Sequence, residues 1–412
     1  MDLWGAVEEC TVDDIYEHSN RYLRDKDEAM NLVSSILAFN RDDGNLRRGI
    51  FKLDKFIEED LLKIICKIDM ERQTDIYLKL KDIKNKLYEL NMIKLLNDKF
   101  IVGIGGMFSA GKSKFINSII NYDILPENQL PTTSIPTYIA KGHDRLSAYT
   151  FNNLNVKLDY DAIDAISHIF YDEYKISFTR FIKSIVIENQ NYTYDNIVLL
   201  DTPGYTKSES HKKDDNTDES IAREHLKVCD YLIWLMDIEN GIVIKDDLTF
   251  INNLKIDKPV LFVFNKADKK CEEDIRKILR STEKILEDTN INVFGVAAYS
   301  SIEKKEYFND YISRFFDEVV KKSKKSEDIL SIVIKLLQVY SDYFESKKGE
   351  LFIEKDSISK SISKSKDLNQ ILSLGSLYSQ INGEVVLNNV RKREFEKVKT
   401  KIIAEVKQIL SK

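Results

Sequence analysis

The stretch from Gly106 to Ser113 has the residue types of a phosphate-binding loop. The chain has 14 glycines in 412 residues, yet four of them lie between Gly103 and Gly111, directly after an apolar run. The pattern GxxxxGK[ST] is matched, and its glycines let backbone N–H groups surround phosphate oxygens. Lys112 would neutralise the β- and γ-phosphates, and the Ser113 hydroxyl would ligate Mg²⁺. We therefore predict a nucleoside triphosphate site, with ATP and GTP both open at this point.

A second motif follows in "IVLLDTPG", where Asp201 ends an apolar run. A carboxylate at such a strand end can hold Mg²⁺ through water, and the Gly204 N–H can approach a γ-phosphate. This is the DxxG arrangement of GTPases. Because Asp-x-Pro-Gly is also an ordinary turn, the motif does not decide the function by itself.

The third motif selects the base. "VLFVFNKAD" places Asn265, Lys266 and Asp268 after another apolar run. A carboxylate can accept hydrogen bonds from the ring N1–H and the exocyclic amine of guanine, whereas adenine would leave it unpaired. Three motifs in this order, each at a strand end on the ligand side of an α/β sheet, predict a site for GTP and GDP.

The elements that must position these residues show in the hydrophobic periodicity. From residue 100 to about residue 316, short β-rich runs alternate with charged helical stretches, which predicts a P-loop α/β domain with a mostly parallel sheet and helices on both faces. The runs are "FIVGIGG", "NIVLLD", "YLIWLMD", "PVLFVFN" and "INVFGVAA".

Helical periodicity flanks this domain on both sides. We expect a helical segment at residues 1–97, the GTPase domain at 98–320 and a second helical segment at 321–412. The apolar seams are Ile76, Leu80, Ile83, Leu87 and Leu90, then Ile329, Val333, Leu336, Tyr340 and Phe344, then Phe395, Val398, Ile402, Val406 and Ile409. Two segments with apolar seams need a partner surface, so we expect them to pack together as one bundle. The Ser/Lys-rich stretch 355–370 is either a solvated helix or a bend.

Bulk composition excludes several classes. A net charge of −6 argues against a protein that coats nucleic acid, since neutralising phosphate requires a basic excess. The four cysteines have no metal-ligand or disulfide spacing, which fits a reduced cytoplasmic interior. No signal peptide and no apolar run of membrane-spanning length is visible. We expect a cytoplasmic protein with, at most, peripheral contact at the inner membrane surface.

The motifs together resemble the dynamin superfamily, and within it the bacterial dynamin-like branch. The resemblance is carried by "GMFSAGKSKFINSII", "LPENQLPTTSIPTYI", "LLDTPG" and "FNKAD". The Phe-Ser-Ala inside the loop and the Pro-Thr-Thr that follows are the more specific signals. A generic small GTPase would explain the three nucleotide motifs but not these or the long helical flanks.

The resemblance implies further site residues. Thr133 matches the switch I threonine that ligates Mg²⁺ and holds the attacking water, with Thr132 as the alternative. Ser109 matches a serine that helps to place a monovalent cation, K⁺ or Na⁺, and Ala298 matches the last guanine-contacting loop. The remaining nucleotide contacts implied along the loop are Met107, Phe108, Ala110 and Lys114.

Catalysis would then rest on positioning and charge. The resemblance assigns it to Lys112, Thr133, Ser109, Asp201 and Gly204. Tyr205 stands where Ras-like GTPases have a water-orienting glutamine, so we expect activation by a homodimer formed through the GTPase domains, or by a second dynamin-like chain. Two function classes remain: a GTPase coupled to its bundle in membrane remodelling, and a slow switch or assembly module acting on a protein partner. An ATP-driven P-loop enzyme would require the third motif to be a coincidence.

Overall fold

The chain folds into two units. The computed structural model describes residues 20–38, 44–125, 135–151, 154–166, 168–204, 218–254, 258–322 and 327–411. Its contacts divide the chain into an α/β unit, Met1–Asp42 with Asp98–Lys324, and a helical unit, Asp43–Asn97 with Lys325–Lys412.

Ten strands among the described residues form one sheet in the α/β unit. They are β1 (Phe100–Gly106), β2 (Thr137–Lys141), β3 (Arg145–Thr150), β4 (Asn155–Leu158), β5 (Ile182–Asn189), β6 (Ile197–Asp201), β7 (Tyr231–Asp237), β8 (Val260–Asn265), β9 (Val293–Ser300) and β10 (Lys305–Tyr307).

The helices of both units, in chain order, are α1 (Arg21–Arg24), α2 (Lys26–Leu37), α3 (Gly44–Lys55), α4 (Leu62–Ile65), α5 (Gln73–Met92), α6 (Lys112–Ile120), α7 (Tyr160–Ala165), α8 (His168–Tyr174), α9 (Asp218–Lys227), α10 (Lys245–Leu254), α11 (Glu272–Glu287), α12 (Tyr311–Val320), α13 (Glu327–Lys364) and α14 (Leu368–Leu410). Short 3₁₀ segments lie at Lys94–Leu96, Phe178–Arg180, Ile238–Asn240 and Ala267–Lys269, and a π-helical segment at Phe56–Leu61 joins α3 to α4.

The strand order is β10-β9-β8-β7-β1-β6-β2-β5-β3-β4. Strands β6, β1, β7, β8 and β9 run parallel to one another, whereas β2 pairs with β6 in the antiparallel sense. Every residue of β1 is buried, as expected for a strand in the middle of a sheet that helices cover. The parallel register brings the carboxyl ends of these five strands to one edge, which confirms the mostly parallel α/β fold.

The first described helices belong to the α/β unit and not to the bundle, which differs from the expectation for residues 1–97. The Asn20 side chain donates to the Asp161 carbonyl at 2.8 Å, and the Tyr22 hydroxyl donates to Asp159 at 3.0 Å. Ala29, Leu32, Val33 and Ile36 are buried in the hydrophobic core of the α/β unit. Helix α2 therefore belongs to the α/β unit because its apolar face packs in the core of that unit.

The helical unit is built on the antiparallel pair α13 and α14, which confirms the predicted bundle. The two predicted seams meet: the rings of Tyr340 and Phe344 each lie 5.6 Å from the ring of Phe395. One position differs, because Leu337 is fully buried where the spacing predicted Leu336. Helix α5 joins this core through Ile76, Leu80, Leu87 and Leu90, and its first residue Gln73 accepts a hydrogen bond from the Tyr340 hydroxyl at 3.0 Å.

The Ser/Lys-rich stretch in the helical unit contains both a helix and a bend. Helix α13 continues through it to Lys364, the chain turns at residues 365–367, and α14 begins with Asp367 as its N-cap. Among the described residues, no helix has both the length and the hydropathy that a membrane span requires.

Glycine in β1 is required by close packing against β7. A Cβ at Gly105 would lie 2.7 Å from Cζ3 of Trp234, a fully buried ring. We predict that Gly105→Ala lowers the free energy of unfolding by about 1–3 kcal/mol, because the ring has no space into which to move.

Differential scanning calorimetry would measure this change. Gly349→Ala is the control, since its Cβ would meet nothing within 4 Å on α13. That variant should gain up to about 1 kcal/mol from the better helix propensity of alanine. An unchanged melting temperature for Gly105→Ala would contradict the packing argument.

Candidate functional site

The phosphate loop leaves the centre of the sheet at the end of β1 and enters α6. Gly111 is the N-cap of α6 with a φ of 80°, in the left-handed region that favours glycine. A Cβ at Gly111 would also lie 2.7 Å from Nδ2 of Asn265. The same loop holds Ser109 at a φ of 65°. The N-terminus of α6 thus presents backbone N–H groups and the positive end of the helix dipole.

Lys112 and Ser113 occupy the first turn of α6. Lys112 is buried, and its Nζ donates to the carbonyls of Gly106 at 3.3 Å and Met107 at 3.1 Å. The Ser113 hydroxyl donates to Oδ2 of Asp201 at 2.8 Å. Two motifs that are 88 residues apart in the chain are therefore in direct contact.

Asp201 is fully buried at the end of β6, opposite Ile104 of β1. Loss of solvation raises the pKa of its carboxyl to about 6, against the opposing effects of the Lys112 charge and the Ser113 hydrogen bond. Its Oδ1 is buried with no hydrogen-bond partner among the described residues. A buried carboxylate oxygen without a donor is costly, and a cation would compensate it.

The donor set at this point suits Mg²⁺. In the part of the chain that the structure describes, no group of three or more His, Cys, Asp or Glu side chains could hold a metal ion by itself. One carboxylate and one hydroxyl are what Mg²⁺ commonly takes from a protein when phosphates and water supply its other ligands. Ser113 and Asp201 therefore fit the predicted metal site.

The DxxG residues approach the phosphate loop closely. The Thr202 hydroxyl donates to the Ile104 carbonyl at 2.8 Å, which fixes the turn to β1. A Cβ at Gly204 would lie 2.7 Å from Cα of Phe108 and 2.8 Å from Nζ of Lys112. Only glycine fits at this position without displacing the loop or its lysine.

Asn265 links the third motif to the phosphate loop. Its Nδ2 donates to the carbonyls of Ala110 at 3.0 Å and Gly111 at 3.3 Å. Its Oδ1 accepts from the hydroxyl of Ser301 at 2.8 Å and from the Ser301 backbone N–H at 3.3 Å. The asparagine thus joins three segments at the same edge of the sheet.

Asp268 and Lys266 are both held by neighbouring side chains. The Ser300 hydroxyl donates to Oδ1 of Asp268 at 2.5 Å. Lys266, at a φ of 61°, forms an ion pair with Asp237 at the end of β7, with a separation of 2.6 Å. The Ser300 hydroxyl therefore fixes the orientation of the Asp268 carboxylate.

The remaining predicted residues are placed as follows. Met107, Phe108 and Ser109 lie in the phosphate loop, and Lys114 is exposed on α6. Ala298 lies inside β9, fully buried and paired with Phe264 and Tyr307, so its side chain packs in the core. Thr132, Thr133 and Tyr205 lie outside the described residues.

Three residues that make contacts in the site, Ser300, Ser301 and Asp237, were not predicted from the sequence. Ser300 and Ser301 follow the matched Ala298 and make the contacts to Asp268 and Asn265. Asp237 ends an apolar run just as Asp201 and Asn265 do, so strand-end position was a usable signal for it. The two serines carried no such signal, because their role depends on the register between β8 and β9.

The comparisons with known proteins agree with this geometry. Residues 102–267 match the family model described as "Dynamin family". The matched range includes the phosphate loop, DxxG and the Asn-Lys pair. This part of the chain is therefore similar to the dynamin family, and the similar proteins include bacterial dynamin-like proteins.

The individual relatives are distant, and each alignment covers only part of either chain. An uncharacterized protein in the xynA 3′ region of Caldicellulosiruptor sp. (strain Rt8B.4) is 23% identical over 221 residues, 52% of each chain. Dynamin-like protein 2 of Campylobacter jejuni subsp. jejuni serotype O:23/36 (strain 81-176) is 23% identical over 61% of this chain and 40% of its own. The chain thus spans about half or less of these curated relatives. A solved chain from an oligomerised bacterial dynamin pair aligns with a TM-score of 0.40 and 18% identity, over 87% of this chain and 56% of that one.

The buried Asp201 generates a prediction about stability and ligand binding. The folded-state pKa of about 6 lies above the ordinary value of 3.8, so the nucleotide-free protein loses stability as pH rises from about 4 to about 6. We predict that Asp201→Asn, which removes the buried charge, raises nucleotide-free stability at pH 8 by on the order of 1–3 kcal/mol. The same variant should lose the stabilisation by Mg²⁺ and GTP.

Asp230→Asn is the matched control for this variant. Asp230 is also a buried aspartate, but it accepts from the Ile101 N–H at 3.0 Å at the opposite end of the sheet. Its variant should lose stability and keep the response to Mg²⁺ and GTP. Thermal shifts with and without nucleotide and metal would measure both effects. A destabilised Asp201→Asn protein that still responds to Mg²⁺ and GTP would contradict the assignment.

Proposed function

We propose that this chain binds GTP with Mg²⁺ and hydrolyses it to GDP and phosphate. The observation that carries the proposal is the 2.8 Å contact between the Ser113 hydroxyl and Asp201, with the unpartnered Oδ1 of that buried carboxylate beside it. A hydroxyl from the phosphate loop and a strand-end carboxylate meet where a nucleotide-bound cation would lie. Lys112 is in the same site.

The loop residues would bind the triphosphate. Backbone N–H groups from Gly106 to Ser113 and the N-terminus of α6 favour phosphate oxygens. Lys112 would exchange its carbonyl partners for β- and γ-phosphate oxygens, since a charged acceptor forms the stronger hydrogen bond. The backbone of Gly204 would approach the γ-phosphate, and the absent Cβ leaves space for this.

Bound Mg²⁺ would supply charge stabilisation at the phosphates. Ser113 and Asp201 are the described residues that would hold it, and Thr133 remains our proposal for a further ligand that also positions water. Ser109 remains our proposal for placing K⁺ or Na⁺ near the β–γ bridge. Catalysis would then come from orientation and electrostatic stabilisation of the transferred phosphoryl group.

The base would be recognised by Asp268. The hydrogen bond from Ser300 uses one acceptor position of Oδ1, so both carboxylate oxygens can still accept from the N1–H and the amine of guanine. Lys266 and Asn265 border the same site through their contacts with Asp237 and the phosphate loop. Ser300 and Ser301 replace Ala298 in our proposal as the side chains that support the base site from β9.

We further propose that the nucleotide state governs what the helical unit binds, either a membrane surface or a protein partner. Sedimentation with anionic vesicles, compared between GTP-analogue and GDP states, separates the two versions. Nucleotide-dependent sedimentation supports membrane remodelling. Its absence, together with nucleotide-dependent association with a protein, supports the switch or assembly module.

A change of base specificity tests the proposed role of Asp268. In Asp268→Asn the amide oxygen can still accept from Ser300, and its NH₂ group can donate to the oxygen that xanthine has in place of the guanine amine. We expect GTP affinity to fall at least a hundredfold and xanthosine triphosphate affinity to rise. Fluorescent-nucleotide titration would measure both. Asp274→Asn, an exposed carboxylate on α11, should change neither affinity, and equal loss of both nucleotides in folded Asp268→Asn would contradict the contact.

The dependence of turnover on protein concentration tests activation by dimerisation. A facing subunit could position Thr133 and Tyr205 and exclude water. A gain of a few kcal/mol in transition-state stabilisation would raise the rate by on the order of a hundredfold or more. Specific activity should therefore rise with concentration. GDP with aluminium fluoride should produce dimers in light scattering.

Lys112→Ala serves as the control in that experiment, because it should lack both the activity and the fluoride-induced dimer. A constant specific activity over a hundredfold concentration range, with a monomeric fluoride complex, would rule out this mechanism of activation.

A further inference from the structure

Helix α14 contains a segment almost without charge, in a chain where 32% of residues are charged. Residues 368–390, "LNQILSLGSLYSQINGEVVLNNV", include Glu384 as their only charged residue. The inner face of this segment packs against α13 through four apolar residues, Leu374, Tyr378, Ile381 and Val385. The outer face has no such partner within the described part of the chain.

The outer face carries a regular stripe, which we call the outer stripe. Its members are Leu368, Leu372, Gly375, Ser379, Gly383, Val386 and Val390. The spacings of four, three, four, four, three and four residues place all seven on one side of a helix. Leu368 is 70% exposed, Leu372 65%, Val386 55% and Val390 45%. With a rise of about 1.5 Å per residue, the stripe is roughly 33 Å long.

The two glycines in the middle of the outer stripe, Gly375 and Gly383, have no close neighbour among the described residues that would require glycine. Each costs about 1 kcal/mol of helix stability relative to alanine. A Cβ at Gly375 or Gly383 would meet nothing within 4 Å, so no internal contact requires its absence. Glycines and a serine spaced four residues apart on an exposed helix face allow another helix to approach closely.

The residue types of the outer stripe are arranged symmetrically about Ser379. Counted from Ser379, large apolar residues lie 7 and 11 positions away on each side, and a glycine lies 4 positions away on each side. A two-fold axis at Ser379 would place Leu368 opposite Val390 and Gly375 opposite Gly383 of another copy. This is the self-complementarity that an isologous interface requires.

The charge pattern agrees with pairing between identical surfaces. A charged stripe would repel its own copy, and the outer stripe has no charge along its length. Glu384 follows Gly383 in the chain but lies about 100° around the helix from it, outside the stripe. The flanking positions Asn369, Gln380 and Asn382 are polar and uncharged, which suits the rim of a protein contact.

We propose that the outer stripe of α14 binds the same stripe of a second copy of this chain, as an antiparallel helix pair with its two-fold axis at Ser379. The small central residues favour this occupant over a lipid surface, because membrane insertion relies on bulky apolar side chains. Two stripes about 33 Å long and 10 Å wide bury roughly 700 Å² in total, which is below a standard stable interface. The contact is therefore weak and reversible.

Cysteine cross-linking of the full chain without nucleotide tests both the partner and the register. The background carries Cys10→Ser, Cys66→Ser and Cys271→Ser, and Cys229 is retained because it is buried. Ser379→Cys should form a disulfide-linked dimer under mild oxidation at least tenfold faster than Ser373→Cys, an exposed serine on another side of the same helix. A mixture of Gly375→Cys and Gly383→Cys proteins should cross-link faster than either protein alone.

Analytical ultracentrifugation of the reduced protein gives a second measurement. Gly375→Leu with Gly383→Leu should weaken the dimer at least tenfold, because bulk at the centre holds the helices apart. Gly349→Leu, at an equally open helical glycine on α13, should leave the association unchanged. The circular dichroism of both variants should remain that of the parent.

Three results would overturn the proposal. The first is equal cross-linking of Ser379→Cys and Ser373→Cys. The second is a dimer that the double glycine variant does not weaken. The third is a monomer at all concentrations whose outer stripe variants lose binding to anionic vesicles, which would assign this surface to a membrane.

Discussion

The hydrogen bond between Ser113 and Asp201 joins the phosphate loop to the end of β6 and places a carboxylate where no water solvates it. Its unpartnered Oδ1 and its raised pKa both show that this position is unfavourable in the nucleotide-free protein. The surrounding strands must compensate for that cost. The fully buried strands β1 and β6 do so by burying apolar side chains on both faces of the sheet.

Three glycines allow close packing around the site, because a Cβ at any of them would contact a neighbouring group. Gly105 makes room for Trp234, Gly111 for Asn265, and Gly204 for Phe108 and Lys112. In each case the neighbour is either a rigid ring or a group of the site itself. The same strand and loop are therefore tightly packed on the core side, while the N-terminus of α6 keeps its backbone N–H groups free of side chains from these positions.

The two faces of α14 in the helical unit differ in burial and in residue size. The inner face of α14 has large apolar residues that complete a seam with α13, and burial fixes that face in the fold. Its outer stripe has apolar residues at the same helical spacing but with small residues at the centre, and it remains exposed. Periodicity alone does not distinguish the two faces, because both satisfy the helical repeat.

The sequence by itself determined the nucleotide motifs, five strands of the sheet and the presence of helical seams. These features are local: GxxxxGK[ST] is a continuous loop, and runs such as "YLIWLMD" predicted β7 to the residue. The sequence could not determine the features that depend on contacts between residues far apart in the chain. The contact of Ser113 with Asp201, the roles of Ser300 and Ser301, and the antiparallel β2 follow from strand order and register. The helix at Lys26–Leu37 joined the α/β unit because its apolar face packs in that core, and an apolar face does not specify which of two cores it covers.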